Sequence, residues 1–447
     1  MPVPTPAPGR RRSLGRQLRP EWMIRDVGLL LLAQIGMSGT AALSGVIVPI
    51  YLALIGFDAI KLGTLFAVTA LTSAVLTASI GVLSDRLGRK VFIVALPLVT
   101  AAAAVIFSLS HAVAVIFACA AIGSFGRGAG AGGGNVGSYA PAQQAYLTDA
   151  VSSTVRNTLF ARLVFATALG AILGNVLAAI PDLAGHFGLH GAAAYRPAFY
   201  AVALLALTAA LLGLPIANRK APPRPSGTRT WSLSRPSWAL LLRLWVTNSV
   251  NGFAVGFIGP FITYWFYRRY GAGPGTIGLL YTIINLATLA SILAAAPVAR
   301  RLGLVRTVVV SRMFQGVLLI PMVLAPTFWT AGAVYLIRMC AQRVAMPLRQ
   351  SFVMAMAPPE ERGTLAGLSN VPSQGTSVLS PALAGYLFEH ISLALPFEIG
   401  GVLQVIGNVI FYAFFRNVHP PEERADERST APAGAKEVTA DLAHRAD

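Results

Sequence analysis

Long apolar stretches separated by short polar breaks run along the chain from about residue 27 to residue 416. A helix needs roughly 20 mostly apolar residues to cross a bilayer. The pattern supplies twelve such windows: 27–52, 62–83, 91–110, 112–147, 158–180, 196–216, 238–267, 276–298, 307–326, 329–357, 363–388 and 396–416. The fourth, seventh and tenth are longer than a bilayer requires, so their helices are expected to tilt or to project beyond the hydrocarbon. The pattern predicts an all-α integral membrane protein of twelve transmembrane helices. It divides the chain into a basic N-terminal tail (1–26), a six-helix half (27–216), a linker (217–237), a second six-helix half (238–416) and a polar tail (417–447) expected to be disordered.

Composition agrees with that division. Of 447 residues 55% are hydrophobic and only 12% charged, against about 25% charged in soluble domains, and the mean hydropathy is +0.65. The N-terminal "MPVPTPAPGRRRSLGRQLRP" lacks an apolar core followed by a small-residue cleavage site, so the first span is expected to be retained. The net charge of +18 sits mainly at the termini and in alternate connections, for example Arg10, Arg11, Arg12, Lys90, Arg219, Lys220, Arg300 and Arg301. The other connections hold only Lys61, Arg196, Arg268 and Arg269. By the positive-inside rule both termini are expected in the cytoplasm. The charge then reflects topology and anionic lipid headgroups, not nucleic acid. Cys119 and Cys340 both fall inside spans and make no disulfide or metal framework. With no Ser/His/Asp set, metal cluster or paired carboxylate in the spans, neither an enzyme nor a cofactor is expected.

The second half repeats the first. "GVIVPIY" (Gly45 to Tyr51) answers to "GFIGPFITY" (Gly256 to Tyr264), with Pro49 over Pro260. Gly63 and Gly88 match Gly278 and Gly303 at one constant offset, and Pro141 to Arg156 matches Pro347 to Arg362. Two related six-span halves fit a parallel repeat about an axis along the membrane normal.

Between spans 2 and 3 lies "GVLSDRLGRK", Gly81 to Lys90. It is similar to the signature loop of the major facilitator superfamily, G-x-L-x-D-R-x-G-R-[KR], and matches at Gly81, Leu83, Asp85, Arg86, Gly88, Arg89 and Lys90. With the span count and the repeat, the chain is identified as a member over about 30–416. The resemblance implies the family fold, secondary transport by alternating access, and a role for Asp85, Arg86 and Arg89 in stabilising the outward-open state. A glycine permits the tight turn, and a carboxylate at Asp85 can meet donors and helix N-termini. Arg300 replaces Asp85 in the second half, so an asymmetric latch is expected. Asp149, Arg156 and Arg362 complete the expected gate, the two arginines holding matching places after spans 4 and 10.

"SFGRGAGAGGGNVG" (124–137) satisfies G-x-G-x-x-G at Gly128, Gly130 and Gly133. A dinucleotide loop needs a βαβ unit and an acidic residue about 20 further on. Here the next acid is Asp149, and the stretch lies in a membrane span. We read it as a close-packing, bendable segment, with "GAILG" (Gly170 to Gly174) in span 5 as a second small-residue face. Arg127 resembles an arginine that family members carry in span 4, but the glutamine and glycine of the family's R-x-x-Q-G are missing.

Span 10 carries Arg338, Arg343 and Arg349. An arginine near the bilayer centre costs about 2.5–3.5 kcal/mol on insertion scales unless it meets water or a partner. The spacing puts Arg338 and Arg349 on one face, with Arg343 to the side. Among the acidic residues only Asp26, Asp149 and Glu398 are read as lying in or at the margins of spans, and no histidine does. An electropositive cavity is therefore expected, favouring an anionic or acceptor-rich solute. The family's drug antiporters tend to show G-x-x-x-G-P in span 5; here Asn175 stands at the proline's place, which disfavours cationic-drug efflux. Because spans 1, 4, 7 and 10 surround the cavity in the family, the expected substrate contacts are Arg343, Arg338, Asn135, Tyr139, Tyr264 and Gln374. Pro49 and Pro260 are expected to kink the gating spans. The expected function is secondary transport of a small solute by a monomer of the plasma (inner) membrane, with a coupling ion (a proton or another) and lipids as partners. The alternatives are multidrug or metabolite efflux by proton antiport and a non-transporting sensor.

Overall fold

The computed structural model describes residues 25–126, 137–151, 155–218, 234–302, 304–356, 361, 365 and 368–416. The first half contains α1 (Arg25–Leu54), α2 (Ala59–Leu87), α3 (Arg89–Leu109), α4 (Val113–Gly123), α5 (Tyr139–Ala150), α6 (Arg156–Leu177), the short α7 (Ile180–His186), a 3-10 turn (Gly191–Tyr195) and α8 (Arg196–Gly213). The second contains α9 (Arg235–Ile258), α10 (Ile262–Tyr270), α11 (Pro274–Leu302), α12 (Leu304–Val317), α13 (Leu319–Leu324), α14 (Phe328–Met356), α15 (Val371–His390) and α16 (Leu395–Phe415). Among the described residues every element is helical.

All twelve windows contain helix, but among the described residues the fourth, seventh, ninth and eleventh are not the single helices that the hydropathy implies, the eleventh turning at Asn370. The fourth is split into α4 and α5, with Ser124, Gly126 and Gly137 at positive φ flanking residues outside the described set. The seventh stops at Ile258 and resumes at Ile262, because Pro260 has no N–H and obstructs the preceding turn. The ninth breaks between Val317 and Leu319, where Pro321 denies the Val317 carbonyl its helical donor. Among the described residues eight helical stretches are long and apolar enough to cross a membrane unaided. The crossings outside that set are α4–α5, α9–α10, α14 and α15. These are either broken or rich in polar groups, as expected where neighbouring helices or a cavity, rather than lipid, provide the surroundings.

Helix α1 is the central element: 83% of its most apolar window is buried, against 39–44% in the other long spans. Small residues make this possible. A Cβ on Gly170 or Gly174 of α6 would strike backbone carbonyls of Ile35 or Gly39 in α1, so the "GAILG" face is a close helix crossing of the kind that replaces hydrophobic driving force in membranes.

Candidate functional site

We call the end carrying the α1–α2, α7–α8, α10–α11 and α15–α16 connections the loop end, and the opposite one the terminus end. At the loop end a single apolar cluster takes residues from both halves, among them Phe66, Phe107, Phe125, Phe261, Trp265, Phe388 and Phe397. Toward the terminus end the cores separate. One, including Tyr139, Tyr146 and Leu159, is confined to the first half; the other, including Leu244, Val308 and Phe411, is confined to the second. Phe66 of α2 meets Phe261 edge-on at 5.5 Å between ring centroids, joining the halves.

The repeat sets the geometry of this closure. A Cβ at Gly63 of α2 would strike the Pro381 carbonyl of α15, and one at Gly278 of α11 would strike the Asn175 carbonyl of α6. These are matching repeat positions, so the second span of each half crosses the fifth span of the other. Just beyond each crossing a carboxylate accepts a backbone hydrogen bond. Glu389 Oε2 takes the Ala59 N–H at the start of α2, 3.0 Å, and Asp182 Oδ2 takes the Gly275 N–H at the start of α11, 2.9 Å. Free N–H groups and the dipole make a helix N-terminus attractive to anions. The same helix end carries its own cap, Asp58. Burial alone would raise this carboxyl, but hydrogen bonds from the Lys61 N–H and ammonium and from the Ile60 N–H hold it below its ordinary range.

A third link lies deeper. Pro49 has no N–H, so the Gly45 carbonyl four residues back in α1 lacks its helical donor. The Thr263 hydroxyl of the other half supplies one at 3.2 Å, and Tyr281 lies 3.0 Å from that hydroxyl. Since threonine has a single proton, Tyr281 donates to Thr263 and Thr263 to Gly45.

At the terminus end the signature loop has the expected turn: Gly88 adopts φ 94°, and a Cβ there would come 2.8 Å from the Asn218 side-chain oxygen. Arg89 is buried, forms an ion pair with Asp149 and also donates to the Ala145 carbonyl. Both partners belong to the first half, so this contact ties α3 to α5. Nearby, Tyr146 donates to Asp26 and the Ala217 N–H reaches the same carboxylate. Arg156 is exposed and donates to the Thr148 carbonyl at 3.4 Å, and Arg86 is exposed. Asp85 belongs to α2, but its side chain is outside the described set, as are Asn135, Arg127 and Arg362 altogether.

In the second half Arg338 is 4% exposed. Its guanidinium carbon stands 5.9 Å from the Tyr335 ring centroid, and its Nε has no hydrogen-bond acceptor. Arg343 follows on the same helix, α14, within electrostatic reach of Tyr335. The other predicted contacts lie elsewhere. Tyr264 is buried in the loop-end aromatic cluster against Phe261 and Phe388. Tyr139, its hydroxyl unpartnered, lines a first-half pocket with Thr40, Ser44, Thr100 and Ser124. Gln374 is exposed in the first turn of α15.

Sequence reasoning passed over three residues. Glu389 was placed outside the spans because the apolar window ends at 388, whereas α15 continues to His390; this corrects the list of acids at span margins. Asp182 sits in a connection that gave no helical signal of its own, and Arg312 is an isolated charge in an apolar window. Only the pseudo-symmetry relating the two fifth-span ends could have singled out Asp182 and Glu389.

Two six-helix halves, related by an internal repeat and packed together at one end, define the architecture of a secondary transporter. The chain belongs to the Major Facilitator Superfamily, whose family model matches residues 29–247 and again 244–446. It is 24% identical over 343 residues to the multidrug resistance protein MdtG of Escherichia fergusonii, covering 73% of this chain and 79% of that one. To MdtG of Serratia proteamaculans it is 25% identical, with 73% and 78% covered. Its fold is similar to the crystal structures of the nucleoside transporter NupG (TM-score 0.68, 15% identity, 88% of this chain and all of that one) and of an autoinhibited POT family peptide transporter (TM-score 0.69, 12% identity, 88% and 97%). Family and fold are those of a membrane transporter rather than an enzyme.

Proposed function

We propose that this protein moves an anionic or acceptor-rich small solute across the plasma (inner) membrane by alternating access, with Arg338 and Arg343 at the centre of the substrate site. The observation that carries the reading is Arg338: buried, with an Nε lacking any acceptor and, among the described residues, only the Met339 sulfur as a hydrogen-bond acceptor and no carboxylate. An arginine keeps its charge, and a buried charge is retained at low cost only where an opposite charge or hydrogen bonds meet it. A substrate carboxylate or phosphate would meet that need in bidentate fashion. With the termini in the cytoplasm, as the charge distribution supports, the closed loop end faces outward and the described state is inward-facing. In proteoliposomes, organic anions should be taken up faster than matched neutral sugars or lipophilic cations. Arg343→Gln and Arg338→Gln should lower that uptake at least about tenfold, the loss of one charge-assisted hydrogen bond or more. Unchanged uptake and preference in correctly inserted variants would overturn the reading.

The MdtG relatives favour a second reading, efflux of varied drugs by proton antiport. Proton-gradient-driven extrusion of lipophilic cations, insensitive to Arg338→Gln, would establish it in place of the first.

A further inference from the structure

Arg312 and Arg349 form a second basic centre in the second half. Arg312 projects from α12, and its Nη1 donates to the Asn251 side-chain oxygen of α9 at 3.3 Å. Arg349 projects from the packed neighbour α14, and its Nε is enclosed with no hydrogen-bond acceptor. Both side chains are half-buried, and the two like charges act on each other across the α12–α14 contact. The ion pairs among the described residues join Lys61 to Asp58 and Arg89 to Asp149, and neither arginine takes part in one. Guanidinium groups do not shed their protons to relieve such a contact. Drawing two like charges partly out of water, with no carboxylate partner among the described residues, is costly. The donors left over are the fork of Arg349, the remaining N–H groups of Arg312 and the amide N–H₂ of Asn251, a set matching the oxygens of a carboxylate or phosphate.

The centre is separate from the site around Tyr335. At a rise of about 1.5 Å per residue, Arg349 lies about 9 Å along α14 from Arg343 and about 16 Å from Arg338, toward the terminus end.

We infer that Arg312, Arg349 and Asn251 form a second oxyanion site, taking a carboxylate or phosphate group between the Arg338–Arg343 site and the terminus end. As a station for the transported anion it rests on the proposed function; as a binding site it stands alone. The same chemistry is offered by a soluble anion and by the headgroup of an anionic lipid, and the experiment separates the two.

The test is thermal unfolding of the full-length protein in three preparations: detergent with inorganic phosphate or citrate, phosphatidylcholine nanodiscs with the same anions, and nanodiscs containing phosphatidylglycerol without them. A site of this kind should raise the wild-type midpoint by about 2–4 °C at saturation. The rise should persist in Arg343→Gln and vanish in Arg312→Gln and Arg349→Gln. A response to phosphatidylglycerol alone identifies a lipid headgroup as the occupant, and a response to citrate or phosphate identifies a soluble anion. Asn251→Asp guards against variants that fail to fold. It places a carboxylate beside Arg312, so it should raise the midpoint without added anion and abolish the anion response. No wild-type response to any anion, or one unchanged in Arg312→Gln, Arg349→Gln and Asn251→Asp, overturns the second site. Loss of the response in Arg343→Gln alone would leave the proposed function standing and remove this inference. Loss only in the Arg312 and Arg349 variants, with uptake insensitive to Arg343→Gln, would do the reverse.

Discussion

Removing the two loop-end caps together, Asp182→Ala with Glu389→Ala, should open that end of the protein. Each carboxylate accepts one backbone N–H from the other half, at 2.9 and 3.0 Å. Hydrogen bonds to charged groups contribute about 1.5–3 kcal/mol when sheltered, and a helix-end charge a further 0.3–1 kcal/mol or so. The Glu389 side chain is exposed and the Gly275 contact is at the surface, so about 1 kcal/mol per cap is the appropriate scale. Both contacts break in the same motion, so their effects add to about 2 kcal/mol on one equilibrium, a factor of about 30. A loop-end-open state held at about 1% would rise to about a quarter of the molecules. Spin labels report this directly. With Cys119 and Cys340 replaced, labels at Phe187→Cys, 87% exposed in the first half, and Arg269→Cys, exposed in the second, flank the closure. Pulsed dipolar distances should gain a longer component of about that population in the double variant. Asp182→Asn with Glu389→Gln, which keeps an acceptor but removes the charge, should give a smaller one. Distance distributions identical in wild type and the double alanine variant would refute the reasoning that these caps hold the halves together.

Gly88→Ala should destabilise the protein by about 1–3 kcal/mol, since φ 94° is strained for alanine and the added Cβ meets Asn218; a thermal midpoint equal to wild type would contradict this. Asp149→Ala leaves Arg89 buried without its counter-charge and should cost up to about 3 kcal/mol, whereas replacing both residues by apolar ones of similar size should recover much of that loss in the same melt. Gly174→Leu should prevent the α1–α6 crossing and abolish the monodisperse size-exclusion peak, while Gly185→Leu, with open space at its Cβ, should change stability by less than about 0.5 kcal/mol. The Asp58 carboxyl is depressed in the folded state, so its contribution is complete above the unfolded-state value of about 3.9 and is lost as pH falls through the lower folded value. Asp58→Asn should remove that acid-limb dependence, which amounts to less than about 1 kcal/mol at this half-exposed site.

Membrane spans declare themselves in sequence because lipid demands length and apolarity, so the elements, the repeat and the signature turn at Gly88 could all be read from it. The breaks at Pro260 and Pro321 could not be told from Pro49, which α1 passes without interruption; what differs is the neighbours available to take up the freed carbonyl. Arg338 and Arg343 stood out because charge is rare in a span, and Arg338 stands over the Tyr335 ring. Tyr264 and Tyr139 could not be placed the same way. A tyrosine is amphipathic, and its position along a helix does not reveal whether it faces an aromatic cluster, a private pocket or a shared cavity. Asp182 and Glu389 were hidden for a different reason: their partners are backbone N–H groups, which carry no side-chain signal.

The donor that Thr263 lends to Gly45 ties the movement of the halves to water. In the closed form the proline-freed carbonyl of α1 is satisfied across the interface. Once the halves part, it has no protein donor in its own helix, and leaving a peptide carbonyl unbonded in apolar surroundings costs about 1–3 kcal/mol. Opening therefore has to proceed with wetting of the crevice between α1 and α10, and whatever keeps that crevice dry also keeps the gate shut.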